Sequence, residues 1–141
     1  METDRVKTPW HLWVVGVLGV LWNLIGVVDF SATVTKFEPY MSNFPQEALD
    51  YYYSMPVWSF VVWGIAVWAA LIGCVLILMR KSMAVAFLGA SLGAALISFG
   101  HGMINPAPEG LGNPIMMIAI IGLAVGFLVY ALWLSRRNVL S

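Results

Sequence analysis

Residues 56–101 read PVWSFVVWGIAVWAALIGCVLILMRKSMAVAFLGASLGAALISFGH, two long apolar segments separated by a short basic connection. The segments, 56–79 and 83–101, are each close to the ~20 apolar residues that an α-helix needs to cross a bilayer. Arg80 and Lys81 lie between them, and charged side chains are costly inside hydrocarbon. The stretch therefore predicts two membrane-spanning helices joined by a tight turn at one face of a membrane.

Two further apolar segments, residues 9–30 and 114–134, have the same length and character. The chain of 141 residues is 61% hydrophobic and only 10% charged, and its mean hydropathy is +0.87. Soluble domains carry about 25% charged residues, so lipid is the expected solvent of this chain. We predict an all-α integral membrane protein in which residues 1–141 form a single four-helix bundle.

The longest connection between spans, residues 31–55, has room for structure of its own. Asn43 with Gln46 three residues later resembles a capping box, and apolar and aromatic residues follow at helical spacings. This pattern predicts a short interfacial helix over residues 44–53. Its tyrosines combine an apolar ring with a polar tip, which suits the headgroup layer. The helix is either a membrane-surface anchor or a lid over a ligand.

The basic residues indicate how the spans are oriented. Lys36 lies at one end of the predicted spans, and the other six lie at the opposite end: Arg5, Lys7, Arg80, Lys81, Arg136 and Arg137. Because basic loops stay in the cytoplasm, both termini are predicted to be cytoplasmic. Five acids fall on the outer side: Asp29, Glu38, Glu47, Asp50 and Glu109.

Small residues recur along three of the spans. Helices in lipid associate through close packing rather than through the hydrophobic effect, and glycines allow that approach. The positions that we assign to helix packing are Gly19, Gly26, Gly89, Gly93, Gly122 and Gly126. The last four form two GxxxG pairs, and the sequence leaves open whether they pack within one chain or join protomers of a homo-oligomer.

Polar residues inside the spans are the natural candidates for function, because they are costly in a membrane. At ~1.5 Å per residue, Asp29 is expected near the outer boundary of the ~30 Å hydrocarbon core, and His101 ends the third span at a similar height. These heights predict an outward-opening pocket that binds a small polar solute. Its candidate residues are Asn23, Asp29, Tyr52, Trp58, Trp63 and His101.

Each candidate also has a structural interpretation. Asn23 is equally suited to an interhelical hydrogen bond, and Asp29 to a solvated helix end or an ion pair with His101. Trp63 could equally be bulk that faces lipid or fills the core. No paired nucleophile and base, no phosphate-binding glycine loop and no metal-ligand spacing is visible in the sequence. We therefore expect no enzyme activity, cofactor, metal or nucleic-acid partner, and the lipid bilayer as the main contact.

Two short motifs carry a resemblance to known proteins. They are Trp22-Asn23-x-x-Gly26-x-x-Asp29 and Tyr52-Tyr53-x-x-Pro56-x-Trp58. With the apolar stretches around them, they resemble a family of short bacterial membrane proteins commonly labelled "sugar transporter". The resemblance implies a bacterial inner-membrane location and a sugar-like solute. In size and architecture the chain is also similar to DoxX-like four-helix proteins, which implies a redox role or a lipophilic substrate.

Three functions are therefore compatible with the sequence. The first is a small-solute transporter or binding protein, and the second is an accessory or structural subunit of a larger membrane complex. The third is a redox component or enzyme that acts on a lipophilic substrate at the outer surface.

Overall fold

A computed structural model of the chain describes residues 7–106, 108 and 114–141, with the side chain of Pro114 left aside. Arg5 and Glu109, whose charges entered the predictions above, lie outside the described residues. The helices are α1 (Trp10–Val34), α2 (Glu38–Met41), α3 (Gln46–Tyr53), α4 (Val57–Leu78), α5 (Met83–Ile104) and α6 (Pro114–Arg136). Four of them, α1, α4, α5 and α6, are long and apolar enough to cross a membrane. The predicted four-helix membrane bundle is confirmed.

The helices run antiparallel, so the bundle has two chemically different ends. Lys7, Arg80, Lys81, Arg136 and Arg137 gather at one end, which we call the basic end. The opposite end carries α2 and α3, and we call it the loop end. The fully buried side chains Leu12, Cys74, Ile77 and Leu134 pack in one cluster towards the basic end. The core of the protein is therefore concentrated in one half of the bundle.

Three helices end in the same hydrogen-bonded turn, in which a residue with positive φ follows the last helical turn. At the end of α1, Lys36 has φ 54° and the Phe37 N–H donates to the Ala32 carbonyl at 2.9 Å. Arg80 after α4 and Asn138 after α6 have φ 58° and 59° and are followed by equivalent bonds. This closure satisfies carbonyls that a helix end would otherwise leave free. Since none of the three is glycine, the tertiary fold selects these turns.

The predicted helix bounds need three corrections. α1 continues to Val34 and α5 to Ile104, each about a turn beyond the predicted end, so Asp29 and His101 lie within helices. The short helix α2 was not predicted. α3 begins at Gln46 behind Pro45, and the expected capping box is absent, because the Asn43 amide donates instead to the carbonyls of Pro39 and Tyr40.

The four spans pack as an incomplete ring. α4 packs against both α1 and α5, and α6 packs mainly against α5. The Ser91 hydroxyl on α5 donates to the Ala66 carbonyl on α4 at 2.6 Å and joins these two helices deep in the bundle. α1 and α6 are not a closely packed pair in the described part of the chain. This arrangement leaves space between α1 and α6 that side chains only partly fill.

Only some of the predicted packing glycines make contacts within the chain. A Cβ placed on Gly19 would lie 2.7 Å from Cys74 Sγ and 3.0 Å from the Phe127 ring, so α1 requires glycine there. Gly26 is in ordinary contact range of Val67. No described atom lies within 4 Å of a Cβ built on the two GxxxG pairs: Gly89, Gly93, Gly122 and Gly126. Their role in helix packing, within the chain or between protomers, therefore stays a prediction.

Candidate functional site

A cavity of about 800 Å³ lies between α1, α4, α5 and α6 in the half of the bundle nearest the loop end. It is partly open to its surroundings, and Tyr40, Tyr51 and Tyr52 of α2 and α3 line its mouth. Leu88 and Phe127 line its deep end, and both pack on the buried cluster of the basic end. The cavity is therefore open towards the loop end and closed towards the basic end.

All six residues proposed from the sequence line this single cavity. They come from four helices, α1, α3, α4 and α5: Asn23, Asp29, Tyr52, Trp58, Trp63 and His101. The structure thus brings together positions up to 78 residues apart in sequence, between Asn23 and His101. Their placement agrees with the predicted pocket, whereas a role in binding a solute stays a prediction.

Asn23 has a structural role as well as a position in the cavity wall. Its Nδ2 donates to the Gly19 carbonyl at 2.8 Å and to Cys74 Sγ at 3.3 Å, which links α1 to α4. Its Oδ1 accepts no hydrogen bond from a described residue. The interhelical interpretation of Asn23 is therefore correct, and one acceptor atom remains available in the cavity.

Asp29 is bonded to a tyrosine that the sequence reasoning did not include. The Tyr40 hydroxyl donates to Asp29 Oδ1 at 2.5 Å, a distance typical of a charge-assisted hydrogen bond. This bond, together with burial and the nearby negative charge, raises the pKa of Tyr40 from 10.0 to about 12. Burial and then the charge of Asp29 also raise the pKa of Tyr52. Both phenols therefore remain protonated donors at neutral pH.

The expected ion pair between Asp29 and His101 is absent from the described structure. The two residues line the same cavity, but the imidazole of His101 packs edge-on against Trp58, with ring centroids 4.8 Å apart and an interplanar angle of 87°. Nearby, the Tyr51 hydroxyl donates to the Asn105 carbonyl at 3.0 Å and ties α3 to the end of α5. His101 is therefore held by an aromatic contact rather than by a charge.

Trp63 is fixed by aromatic packing at intermediate depth. Its ring meets Phe30 edge-on at a centroid distance of 5.1 Å, and a Cβ on Gly64 would lie 2.9 Å from that same phenylalanine. α1 and α4 therefore approach closely beside Trp63, which orients the indole along the cavity wall. Trp63 therefore both packs against Phe30 and lines the cavity, and a role in binding stays a prediction.

Several lining residues were missed at the level of sequence. α6 contributes one stripe that includes Met117, Ile121 and Phe127, whereas no candidate had been assigned to the fourth span. Apolar residues surround this span, so no pattern in the sequence marks these positions as facing a cavity. Ser98 on α5 was also missed, and its Oγ is buried with no hydrogen-bond partner among the described residues.

The formal charge in the described cavity wall comes from a single carboxylate. Among the described lining residues Asp29 is the only Asp or Glu, and none is Lys or Arg. Lys36, the basic residue of the loop end, lies instead over the ring of Tyr53, with Nζ 4.7 Å from the centroid. In the part of the chain that the structure describes, no group of three or more His, Cys, Asp and Glu could hold a metal ion. The cavity therefore combines one carboxylate with aromatic and apolar walls.

Comparisons of the chain with protein-family models, with curated proteins and with solved structures give no match.

Proposed function

We propose that this chain is a small-solute binding protein or transporter of the bacterial inner membrane, with both termini cytoplasmic and the loop end facing outward. The observation that carries this proposal is the cavity of about 800 Å³ that gathers the polar and aromatic residues of the spans. Sites for small molecules usually have ~300–1,000 Å³ and apolar walls with a few placed polar groups. The cavity has both properties.

The closed basic end supports access from one side only. On that side His11 Nδ1 and the Tyr130 hydroxyl are 2.6 Å apart, and Trp133 packs beside both rings. Below the cavity, the Phe127 ring lies against Gly19. A solute entering from the loop end would therefore be held in the bundle, and its transport would require this layer of side chains between α1 and α6 to separate.

The chemistry of the walls favours an amphipathic solute over a free sugar. Recognition of a sugar ring requires many hydrogen-bonding partners, but Ser59 and Ser91 already donate to backbone carbonyls. The other polar groups are set between apolar side chains, and most of them belong to aromatic rings: Asn23 Oδ1, Ser98 Oγ, the Asp29 carboxylate, the Tyr52 hydroxyl, the His101 imidazole and the indole N–H groups of Trp22, Trp58 and Trp63. The sugar-like solute implied by the resemblance stays a prediction.

A second candidate function is that of a subunit in an oligomer or a larger membrane complex. The open space beside the GxxxG pairs of α5 and α6 favours it, since small residues on a lipid-facing helix permit another helix to approach. The two functions are compatible, because a partner on this face would leave the cavity between α1 and α6 in place. The third possibility, a redox component, has no specific support in the described residues.

Access to the cavity can be tested with a cysteine placed in its wall. In a Cys74→Ser background, which removes the native thiol, we expect Ser98→Cys to react with the small neutral thiol reagent methyl methanethiosulfonate and with a charged, membrane-impermeant methanethiosulfonate added outside intact cells. The reason is that Ser98 lines a cavity open towards the loop end. Mass spectrometry of the purified protein measures the modification.

Leu96→Cys provides the matched control on the same helix. Leu96 is 49% exposed on the surface of the bundle and is not part of the cavity wall. A thiol there would face lipid, where the reactive thiolate does not form, so it should remain unmodified by the impermeant reagent. Labelling of Ser98→Cys only from the cytoplasmic side would contradict the proposed orientation. No labelling from either side would contradict the binding function itself.

A further inference from the structure

The geometry of the cavity points to a lipophilic organic cation as its ligand, an amine or quaternary ammonium head on an apolar body, with the head held between Asp29 and the aromatic residues of the mouth. This inference rests on the proposed function and specifies its substrate class. It depends on charge, on the aromatic groups beside that charge, and on the shape of the remaining cavity.

The charge of the cavity wall is unbalanced. Asp29 brings a negative charge into a wall that has no Lys or Arg among the described residues, and the imidazole of His101 packs against Trp58 rather than against this carboxylate. One of its oxygens accepts from Tyr40, and a hydrogen bond with a distance of 2.5 Å stabilises a carboxylate without neutralising it. Burial of an unpaired charge is costly, so a cationic occupant would be favoured over a neutral or anionic one.

Aromatic groups surround that charge. Tyr40, Tyr52 and Trp58 line the same end of the cavity as Asp29. The faces of such rings attract cations, and they attract them most strongly where water is excluded. Lys36 already binds over Tyr53 in this way at the neighbouring surface. A carboxylate with several rings therefore forms a site for an ammonium group, whose bulk and lack of acceptors suit aromatic walls.

The space beyond the head group is mainly apolar. From Asp29 towards the basic end its walls include Trp63, Ala66, Ala95, Ile121 and Phe127. Apart from the indole N–H of Trp63, these side chains offer no hydrogen bonds to a polar solute, and they are well suited to aryl or short alkyl groups. Ser98 Oγ is the one unsatisfied buried side-chain atom along the described wall. The ligand is thus a cation at one end and apolar along most of its length.

The test uses three probes of similar shape and different charge. Tetraphenylphosphonium is cationic, triphenylphosphine oxide is neutral and tetraphenylborate is anionic. Binding to the full chain in zwitterionic phosphatidylcholine nanodiscs is measured by quenching of tryptophan fluorescence, with protein-free nanodiscs to subtract partitioning into lipid. We expect saturable binding of tetraphenylphosphonium at least ten times tighter than that of either other probe.

The role of Asp29 is tested with Asp29→Asn, which keeps the size of the side chain and removes its charge. We expect at least a tenfold weaker binding of tetraphenylphosphonium and little change for triphenylphosphine oxide. Asp50→Asn is the matched control, because Asp50 lies on the exposed surface of α3, bonded to Gln46, and does not line the cavity. It should leave the binding of all three probes unchanged.

A second measurement does not depend on these probes. In the Cys74→Ser, Ser98→Cys protein, the rates of reaction with trimethylammonium-ethyl and sulfonatoethyl methanethiosulfonate are compared with their rates for a free thiol. Asp29 should favour the cationic reagent, and Asp29→Asn should return the ratio towards that of the free thiol. This readout is available even where a variant binds no probe.

The outcomes separate this inference from the proposed function. If the neutral probe binds as tightly as the cation, or if Asp29→Asn changes neither affinity nor rate ratio, the cation preference is overturned while a solute-binding cavity remains. If none of the three probes binds while Ser98→Cys is labelled normally, the cation preference is also overturned. Failure of all three probes with no labelling at Ser98→Cys removes the proposed function as well.

Discussion

At the scale of single residues, the contact between Asp29 and Tyr40 organises the mouth of the cavity. The turn at Lys36, with its positive φ, sends α2 back along the end of α1 and places the Tyr40 hydroxyl on the carboxylate. The bond satisfies one oxygen of Asp29 and leaves its charge in place. A side chain eleven residues away thereby sets the environment of the one carboxylate in the described cavity wall.

The ionisation of Tyr40 gives a prediction with a definite sign. The pKa of Tyr40 is raised from 10.0 to about 12, first because the phenol donates to Asp29. A group whose pKa is higher in the folded state stabilises the fold fully below pH 10, and that contribution is lost as the pH rises from 10 to 12. Absorbance at the tyrosinate band should therefore show a titration near pH 12 that Tyr40→Phe removes.

Two variants check the cause of this shift. Asp29→Asn removes the charge that opposes ionisation, so the Tyr40 titration should move down towards pH 10. Asp50→Asn, on the exposed surface of α3, should leave it in place. An unchanged Tyr40 titration in Asp29→Asn would show that the negative charge of Asp29 is not responsible for the raised pKa.

At the scale of elements, the sequence predicted the four spans correctly but did not predict where each helix ends. Length and hydropathy are local properties, and they gave all four membrane helices to within about a turn. The ends depend on how the chain turns away, as at Lys36, where a left-handed residue closes α1. The predicted capping box does not form, because the Asn43 amide donates to carbonyls of the preceding turn rather than bonding to α3.

The glycine rows of the helices provide a prediction at this scale. Gly19→Ala places a methyl group 2.7 Å from Cys74 Sγ, so α1 and α4 must move apart. We expect a loss of about 1–3 kcal/mol in the free energy of unfolding, as for other overpacked sites. Denaturation in mixed detergent, followed by far-UV circular dichroism, measures the change.

Gly93→Ala is the control for the same substitution on α5. A Cβ at Gly93 meets no described atom within 4 Å, so the monomer should keep its stability. If Gly93→Ala instead shifts the protein to smaller particles in size-exclusion chromatography, the GxxxG row joins protomers. Equal destabilisation of the monomer by both variants would contradict the packing described for Gly19.

At the scale of the whole molecule, the bundle is dense at one end and hollow at the other. The buried cluster joins Leu12, Ile77, Leu88 and Leu134 towards the basic end, and the cavity lies beyond it towards the loop end. The chain after α6 adds to the closure, since Ser141 exchanges backbone hydrogen bonds with Arg80 and Ser82. The packed core at the basic end can therefore hold the helices in place around the cavity at the loop end.

This division predicts where the stability of the protein resides. Leu134 is fully buried in the cluster of the basic end, whereas Leu132 on the same helix is 38% exposed. Leu134→Ala should cost about 2–5 kcal/mol of unfolding free energy because it leaves a cavity in a packed core. Leu132→Ala should cost clearly less in the same detergent denaturation.

The two leucine variants show whether the core of the basic end holds α6 in place. A large loss for Leu134→Ala with a small loss for Leu132→Ala is expected if the basic end is the stable half. Equal losses would indicate that α6 is held by lipid or by another chain rather than by this core.

The sequence by itself determined the number of spans, the segregation of the basic residues and the six side chains that meet in the cavity. It could do so because hydropathy, length and residue height along a helix are properties of each segment alone. Asp29 and His101 could be placed at similar depths without knowledge of which helices are neighbours.

The tertiary structure alone decided which faces of the helices meet. It placed Tyr40 on Asp29, separated His101 from that carboxylate, added α6 to the cavity wall and left the GxxxG pairs without contacts in the described chain. Each of these depends on the rotation of one helix against another and on a turn between them. Apolar residues surround every span, so no periodic pattern in the sequence distinguishes the face that meets protein from the face that meets lipid.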